Sequence, residues 1–115
     1  MAAVFVYGTL RRGGRNHRLL AGSRRLGSCR LGPGFTMLDL GACPGVIEAG
    51  RGSVTGEVYR VAARLWPRLD ALEDYPEVYT RRVVRTPLGP AWVYLFRGER
   101  SRGRRVVPGG DWFRC

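Results

Sequence analysis

Short apolar runs separated by glycine-rich polar stretches predict a chain built mostly of β-strands. The first run, AVFVYG at residues 3–8, is apolar at successive positions and rich in β-branched and aromatic side chains. We therefore expect a strand with both faces buried, at the centre of a sheet. Residues 24–39 predict one or two strands, with a turn or bulge at the GPG of residues 32–34. Residues 42–52 and 53–61 each carry a further strand signal.

One segment, residues 62–75, has the periodicity of a helix. At about 100° per residue, four apolar side chains fall on one arc: Leu65, Trp66, Leu69 and Leu72. Pro67 fits such a helix only in the first turn, where a backbone N–H has no helical partner. Pro76 is expected to end the helix.

The remaining segments predict a hairpin, a short turn and a loop. Residues 78–86 and 91–98 are separated by the turn-rich PLGP and predict the hairpin. Residues 17–21 predict a short helical turn before Gly22. Residues 98–110 are polar, basic and without periodicity, so we expect a loop there.

Glu73 is the carboxylate that stands out in the helical pattern. It falls within the apolar arc, whereas Asp70 and Asp74 lie towards the opposite, solvent-facing side. A carboxylate aimed at an apolar interior is costly unless it is paired or used in function. Glu73 is therefore either a functional group, or a residue that bends to solvent or pairs with an arginine such as Arg81 or Arg82.

The turn that follows the first strand is a second candidate for chemistry. Gly8, Thr9 and Leu10 can present several backbone N–H groups in one direction, as an anion-binding nest. Together with a half-buried Glu73, this nest predicts an active site. His17 is interpreted as a local hydrogen-bonding residue, because no serine or cysteine nucleophile can be matched to it. No phosphate-binding or dinucleotide-binding glycine motif follows the strand.

Composition limits the possible partners. A chain of 115 residues, 44% of them hydrophobic, predicts one domain over residues 1–115. The formal net charge of +11 comes from 20 basic residues that are all arginine, and it favours anionic partners in general. A solvated arginine-rich surface explains it better than a specific nucleic-acid partner, since base-stacking patterns and recognition motifs are missing. No apolar run approaches the ~20 residues that cross a bilayer, so we expect no membrane association.

The three cysteines are expected to be reduced thiols of a cytoplasmic protein. Cys29, Cys43 and Cys115 are odd in number and irregularly spaced, and no secretory leader opens the chain. With His17 they could formally make a zinc set, but no C-x-x-C pair places two ligands in advance. We therefore predict no metal site.

Four segments resemble the γ-glutamylcyclotransferase-like family: VFVYGTLRRGGRNHRLL, GEVYRV at 56–61, LDALEDYPEVYTRR at 69–82 and GGDW at 109–112. The first is especially similar to γ-glutamylaminecyclotransferase and its small bacterial relatives. The segments occur in the right order across nearly the whole chain. The YGTLR and LDALEDYP elements together are the specific part of the resemblance.

The resemblance implies an α+β fold, a small mixed and mainly antiparallel β-barrel with one main flanking helix. It implies an enzyme that converts a small-molecule γ-glutamyl amine or amide to 5-oxoproline and a free amine, without a cofactor. By motif, Glu73 is the general acid/base, and the substrate is bound by Tyr7, Gly8, Thr9 and Leu10. Tyr79 and Tyr94 are candidate phenol donors in the pocket, or ordinary packing residues. The alternative is a non-catalytic binding module of the same fold, which holds an acidic metabolite or partner.

If the arginines form a solvated surface, binding to duplex DNA should be weak and indifferent to sequence. It should collapse as salt rises, because affinity of this kind comes from counterion release. Fluorescence anisotropy titrations of two unrelated duplexes, at low and at physiological salt, measure this. Sequence-selective binding that persists at physiological salt would contradict the interpretation.

Overall fold

A five-stranded sheet with its first strand in the middle organises the fold, in a computed structural model that describes residues 2–114. The strands are β1 (Ala2–Val6), β2 (Arg24–Leu31), β3 (Thr36–Asp39), β4 (Pro44–Ile47), β5 (Val54–Val61), β6 (Tyr79–Thr86), β7 (Gly89–Phe96) and β8 (Arg105–Val106). The only α-helix among the described residues is α1 (Trp66–Leu72). Short 3-10 turns occupy His17–Leu20, Ala63–Leu65, Gly98–Arg100, Pro108–Gly110 and Trp112–Arg114.

The central position predicted for the first strand is confirmed. The large sheet has the order β2-β5-β1-β7-β6, and β1 pairs antiparallel with β5 and parallel with β7. Val4, Phe5 and Val6 are buried, and alternate residues of β1 pack into different apolar clusters. The cluster of Phe5 includes Val46 of the small sheet, and the cluster of Val4 includes Leu69 of α1. An apolar run without alternation therefore marks a strand covered on both faces.

The other strands predicted from the sequence are also confirmed. The predicted hairpin is formed by β6 and β7, which pair antiparallel up to Thr86 and Gly89. The GPG turn at 32–34 separates β2 from β3. The short helical turn predicted over residues 17–21 is the 3-10 turn His17–Leu20.

The prediction of a loop over residues 98–110 is wrong in part. This segment contains β8, which pairs antiparallel with β3 and completes a small sheet of order β4-β3-β8. Val107 is buried, and its N–H donates to the carbonyl oxygen of Met37 at 2.8 Å. Two residues are too few to show a periodic pattern, so this strand is recognised only by its pairing with β3.

The helix is shorter than the predicted span of residues 62–75. Its first residues form the 3-10 turn Ala63–Leu65, and α1 covers only Trp66–Leu72, with Pro67 in its first turn as expected. At the other end Asp74 has a φ of 49°, which takes the chain out of the helix before Pro76 is reached. Glu73 thus becomes the residue that caps the helix, and its N–H donates to the Leu69 carbonyl oxygen.

The fold is α+β, with mostly strands and one helix among the described residues. Closure into a barrel is not confirmed, because β2 and β6 end the five-stranded order and the strand pairings do not join them. In residues 2–114, no helix has the length and apolar character required to span a membrane.

Gly56 on β5 is required by the packing of the central strands. A Cβ at this position would lie against the ring of Phe5 and 2.5 Å from the carbonyl oxygen of Val6. Gly56→Ala should therefore destabilise the fold by about 3 kcal/mol, at the upper end of typical overpacking costs. Gly98→Ala is the matched control, because nothing lies within 4 Å of a Cβ there. Equal unfolding free energies for the two variants in chemical denaturation would contradict this account.

Candidate active site

A pocket opens at the carboxyl end of β1, where the chain leaves the central strand and turns. Its walls come from this turn, the end of α1, the start of β4, and strands β6 and β7. The cavity measures about 210 Å³. All six site residues predicted from the sequence line it: Tyr7, Gly8, Thr9, Leu10, Glu73 and Tyr79.

The turn after β1, called here the 8–10 turn, is held by the residues that follow it. Asn16 donates its backbone N–H to the carbonyl oxygen of Thr9 and its side-chain amide to the Thr9 hydroxyl, both at 3.0 Å. His17 Nδ1 lies 2.8 Å from the carbonyl oxygen of Leu10. The interpretation of His17 as a local hydrogen-bonding residue is therefore confirmed.

The backbone N–H groups of the 8–10 turn, those of Gly8, Thr9 and Leu10, have no protein acceptor among the described residues. Successive N–H groups without partners can bind an anion or a developing negative charge. Gly8 is needed here for packing, because a Cβ would lie 2.8 Å from the ring of Pro44 on β4.

Glu73 lines the same pocket as this turn, at the end of α1, and its side chain is half-buried. Among the described residues Glu73 forms no ion pair, whereas both arginines considered as partners are engaged elsewhere. Arg81 Nε donates to Asp70 at 2.9 Å, and Arg82 pairs with Glu48. The alternative in which Arg81 or Arg82 neutralises Glu73 is therefore wrong.

The environment of Glu73 favours the protonated form. Burial, and secondly the negative charge of Asp74, raise the pKa of Glu73 to about 7. Burial and the Glu73 charge also raise the pKa of the Tyr7 phenol, so this phenol stays protonated. A carboxyl group with a pKa near neutrality can both accept and return a proton.

Of the two aspartates expected on the solvent-facing side of the helix, only Asp70 is placed differently. Asp70 is half-buried and accepts hydrogen bonds from Arg81 and from the Tyr94 hydroxyl, the latter at 2.6 Å. Asp74 is exposed as expected, and it also lines the pocket beside Glu73. The helical pattern does not extend to Asp74, because α1 ends at Leu72 and the chain turns there.

The phenol hydrogens near the pocket are already committed to protein acceptors. Tyr7 donates to the carbonyl oxygen of Tyr94, and Tyr79 donates to that of Pro44, both at 2.8 Å. The Tyr94 hydroxyl donates to Asp70. Burial raises the pKa of both Tyr79 and Tyr94. Neither is placed as the free phenol donor that the sequence suggested, and what they offer a ligand is ring surface and an acceptor oxygen.

Two residues of the pocket wall, both in loops, were not predicted from the sequence. Arg15 and Cys43 line the pocket, and the Arg15 guanidinium donates to the carbonyl oxygen of Ala42 at 2.8 Å. Both residues lie in irregular segments, where no periodicity indicates which way a side chain points.

The cysteines do not form a metal cluster in the part of the chain that the structure describes. Cys29 and Cys43 are free thiols, and no group of three or more His, Cys, Asp or Glu side chains in residues 2–114 is arranged to hold a metal ion. Cys115 lies outside the described residues.

The raised pKa of Glu73 has a consequence for stability. A group whose pKa is higher in the folded state than in the unfolded state destabilises the fold as pH rises through the interval between the two values. Glu73→Gln imitates the protonated form, so it should be more stable than wild type above pH 7, by about 3 kcal/mol for a shift from 4.5 to about 7. The gain should vanish near pH 4. Chemical denaturation between these pH values measures it, and a difference that does not change with pH would contradict the assignment.

Comparisons with known proteins identify related sequences along nearly the whole chain. Residues 4–114 match the family described as Gamma-glutamyl cyclotransferase, AIG2-like. A Vibrio cholerae protein named "Putative gamma-glutamylcyclotransferase" is 46% identical over 109 residues, which cover 95% of this chain and 93% of that protein. The γ-glutamylcyclotransferase family protein YtfP of Escherichia coli K12 is 34% identical over 109 residues, with 95% and 94% covered.

Solved structures share the fold. The solution NMR structure of ytfP from Escherichia coli matches with a TM-score of 0.77 at 32% identity, covering 97% of this chain and 96% of that one. The crystal structure of an AIG2-like protein from Mus musculus matches with a TM-score of 0.74 at 29% identity, covering 86% and 81%. The family match and these identities show that the chain belongs to the γ-glutamylcyclotransferase, AIG2-like family.

Proposed function

We propose that this protein is an enzyme that converts a γ-glutamyl amine or amide to 5-oxoproline and a free amine. The observation that carries the proposal is the shared cavity of the 8–10 turn and of Glu73, which has a pKa of about 7 and no ion-pair partner among the described residues. In this proposal residues 1–115 act as one domain.

The reaction asks little of the protein apart from positioning. The α-amine and the δ-carbonyl belong to one substrate, so attack closes a five-membered lactam without a bimolecular encounter. A bond forms between the α-nitrogen and the δ-carbon, and the bond from that carbon to the leaving nitrogen breaks. Atoms and charge balance with proton transfers alone, so the route requires neither a covalent enzyme intermediate nor a redox group.

Glu73 is the proposed proton carrier. Its carboxylate takes the proton that the α-ammonium must lose before attack, and its carboxylic acid returns this proton to the departing nitrogen. The second proton that the α-nitrogen loses as the lactam forms leaves with the amine, which is released as an ammonium ion. A pKa of about 7 suits both steps, because each form is populated near neutral pH. The missing arginine partner also matters, since an ion pair would hold Glu73 in the ionised form.

The 8–10 turn is the proposed anion site. The N–H groups of Gly8, Thr9 and Leu10 can bind either the α-carboxylate of the substrate or the oxyanion that develops on the δ-carbonyl. Tyr7, the residue before this turn, is fixed by two hydrogen bonds. Its hydroxyl donates to the Tyr94 carbonyl oxygen of β7 and accepts the Val46 N–H of β4 at 3.2 Å. Tyr79 adds a wall of the substrate pocket.

A binding module that holds an acidic ligand without turnover is the competing function. It requires Glu73 to be a structural carboxylate, neutralised by an arginine. The ion pairs of Arg81 with Asp70 and of Arg82 with Glu48 favour the enzyme instead.

Glu73→Gln keeps the shape of the side chain but cannot take and return a proton, so turnover should fall by about 10²- to 10⁴-fold. Substrate binding should change little. The measurement is 5-oxoproline release from a panel of γ-glutamyl amines and dipeptides. Glu77→Gln is the matched control, because Glu77 is exposed and close in sequence. A folded Glu73→Gln variant with turnover near that of wild type would eliminate the proposed mechanism.

Asp74→Asn is a further arm of this experiment. Because the Asp74 charge raises the pKa of Glu73, its removal should shift the acidic limb of kcat/KM to lower pH while the maximum rate is largely kept. A larger loss of turnover in Asp74→Asn than in Glu73→Gln would contradict the proposal, because it would show that Asp74 and not Glu73 transfers the proton.

A further inference from the structure

Glu57 on β5 is a buried carboxylate that does not line the pocket. Glu57 is 4% exposed, and it lies on an interior strand of the large sheet, with β2 on one side and β1 on the other. A buried charge of this kind is costly unless its oxygens are satisfied. The partners that satisfy them therefore indicate what Glu57 is for.

Both oxygens of Glu57 are used, and most of their partners belong to the chain that follows the 8–10 turn. Oε1 accepts the backbone N–H of Arg12 at 2.9 Å and the hydroxyl of Tyr59 at 2.8 Å. Oε2 accepts Arg11 Nε at 3.3 Å. Burial raises the pKa of Glu57, but these hydrogen bonds and the Arg11 charge outweigh it and hold the pKa below its usual range. Glu57 is therefore ionised at neutral pH.

The same residue holds the chain on both sides of the 8–10 turn. Glu57 lies directly opposite Val6, the last residue of β1, in the antiparallel ladder. Its side chain then binds Arg11 and the N–H of Arg12 after the turn. The 8–10 turn thus begins and ends against one residue of a central strand, which fixes the span that the turn must close.

A second carboxylate extends this network to the end of the chain. Arg11 Nη1 donates to Asp111 Oδ1 at 2.8 Å, and both side chains are largely buried. The Arg11 guanidinium also lies 4.4 Å from the centre of the Phe113 ring. The GGDW segment at 109–112, which contributes nothing to the pocket wall, is therefore attached to the chain just after the 8–10 turn.

We propose that Glu57 is a positioning residue for the 8–10 turn, acting through Arg11 and the Arg12 N–H, and that Asp111 supports it from the C-terminal segment. The inference rests on the proposed function, in which the N–H groups of this turn hold the substrate carboxylate or the oxyanion. Glu57 acts on the reaction through the turn and does not touch the substrate.

Glu57→Gln is the primary test. Glutamine keeps the length and one oxygen for the Arg12 N–H, but it removes the charge that pairs with Arg11 and places an amide donor against the guanidinium. The kcat/KM for 5-oxoproline formation should fall by about 10- to 100-fold, since small displacements of groups that position the substrate have costs of this order. The pH of half-maximal kcat/KM should stay at the wild-type value, because Glu73 is untouched.

Amide hydrogen exchange supplies a readout that does not depend on activity. In Glu57→Gln, exchange should rise at the amides of Arg11 and Arg12, whose N–H groups donate to the Gly8 carbonyl oxygen and to Glu57, and it should stay near wild type in β1, β5 and β7. Glu48→Gln is the matched control, because it breaks an exposed ion pair with Arg82 and should change neither quantity. Should Glu57→Gln fail to fold, Asp111→Asn tests the same network, with a smaller rise in exchange confined to the amides of Arg11 and Arg12.

The outcomes separate this proposal from the function on which it rests. Unchanged exchange at the amides of Arg11 and Arg12, or a rise spread over the whole sheet, would overturn the positioning role. A shift of the pH profile in Glu57→Gln would do the same, since it would place Glu57 in the proton transfer. If wild type forms no 5-oxoproline from any γ-glutamyl compound, the proposed function fails, while a rise in exchange confined to the amides of Arg11 and Arg12 still supports Glu57 as the residue that holds the turn.

Discussion

The placement of β1 between two paired strands is the constraint on which the site depends. A strand with partners on both edges and apolar clusters on both faces cannot shift or tilt, so the position where it ends is fixed. The chain that leaves it at Tyr7 must turn at once, and it turns into a cavity closed by the end of α1 and by β4. The apolar packing on both faces of β1 therefore holds the polar N–H groups of this turn at the edge of the core.

Glu73 shows how strongly position decides charge in this protein. The chain carries 20 basic residues against nine acidic ones, yet no arginine among the described residues pairs with Glu73. The nearby Arg81 is held by Asp70 and by the rings of Trp66 and Trp92, at 4.9 and 4.8 Å. A half-buried carboxylate whose pKa is raised, and which has no cation beside it, destabilises the folded state at neutral pH. Carboxylates with a strongly raised pKa are found most often at functional sites, where the raised pKa serves the reaction.

Local pattern was sufficient for most of the strands, and insufficient for strand β8 and for the length of the helix. The central strand, the β6–β7 hairpin and the 3-10 turn His17–Leu20 follow from apolar runs and turn residues that each segment carries itself. The helix was predicted too long because Asp74 leaves the helical region through its own backbone turn, which periodicity does not register. The strand β8 was missed because it exists only through pairing with β3.

The sequence by itself determined the family and six of the residues that line the pocket, among them the carboxylate that departs from the helical pattern, because each lies in a contiguous motif. The tertiary structure alone decided the partners. In the structure Arg81 pairs with Asp70, and the Tyr79 hydroxyl donates to the carbonyl oxygen of Pro44. Glu57 accepts the Arg12 N–H just after the 8–10 turn. Hydrogen bonds and ion pairs such as these join positions far apart in the chain, and which of many possible partners meet is settled only when the strands fix the distances between them.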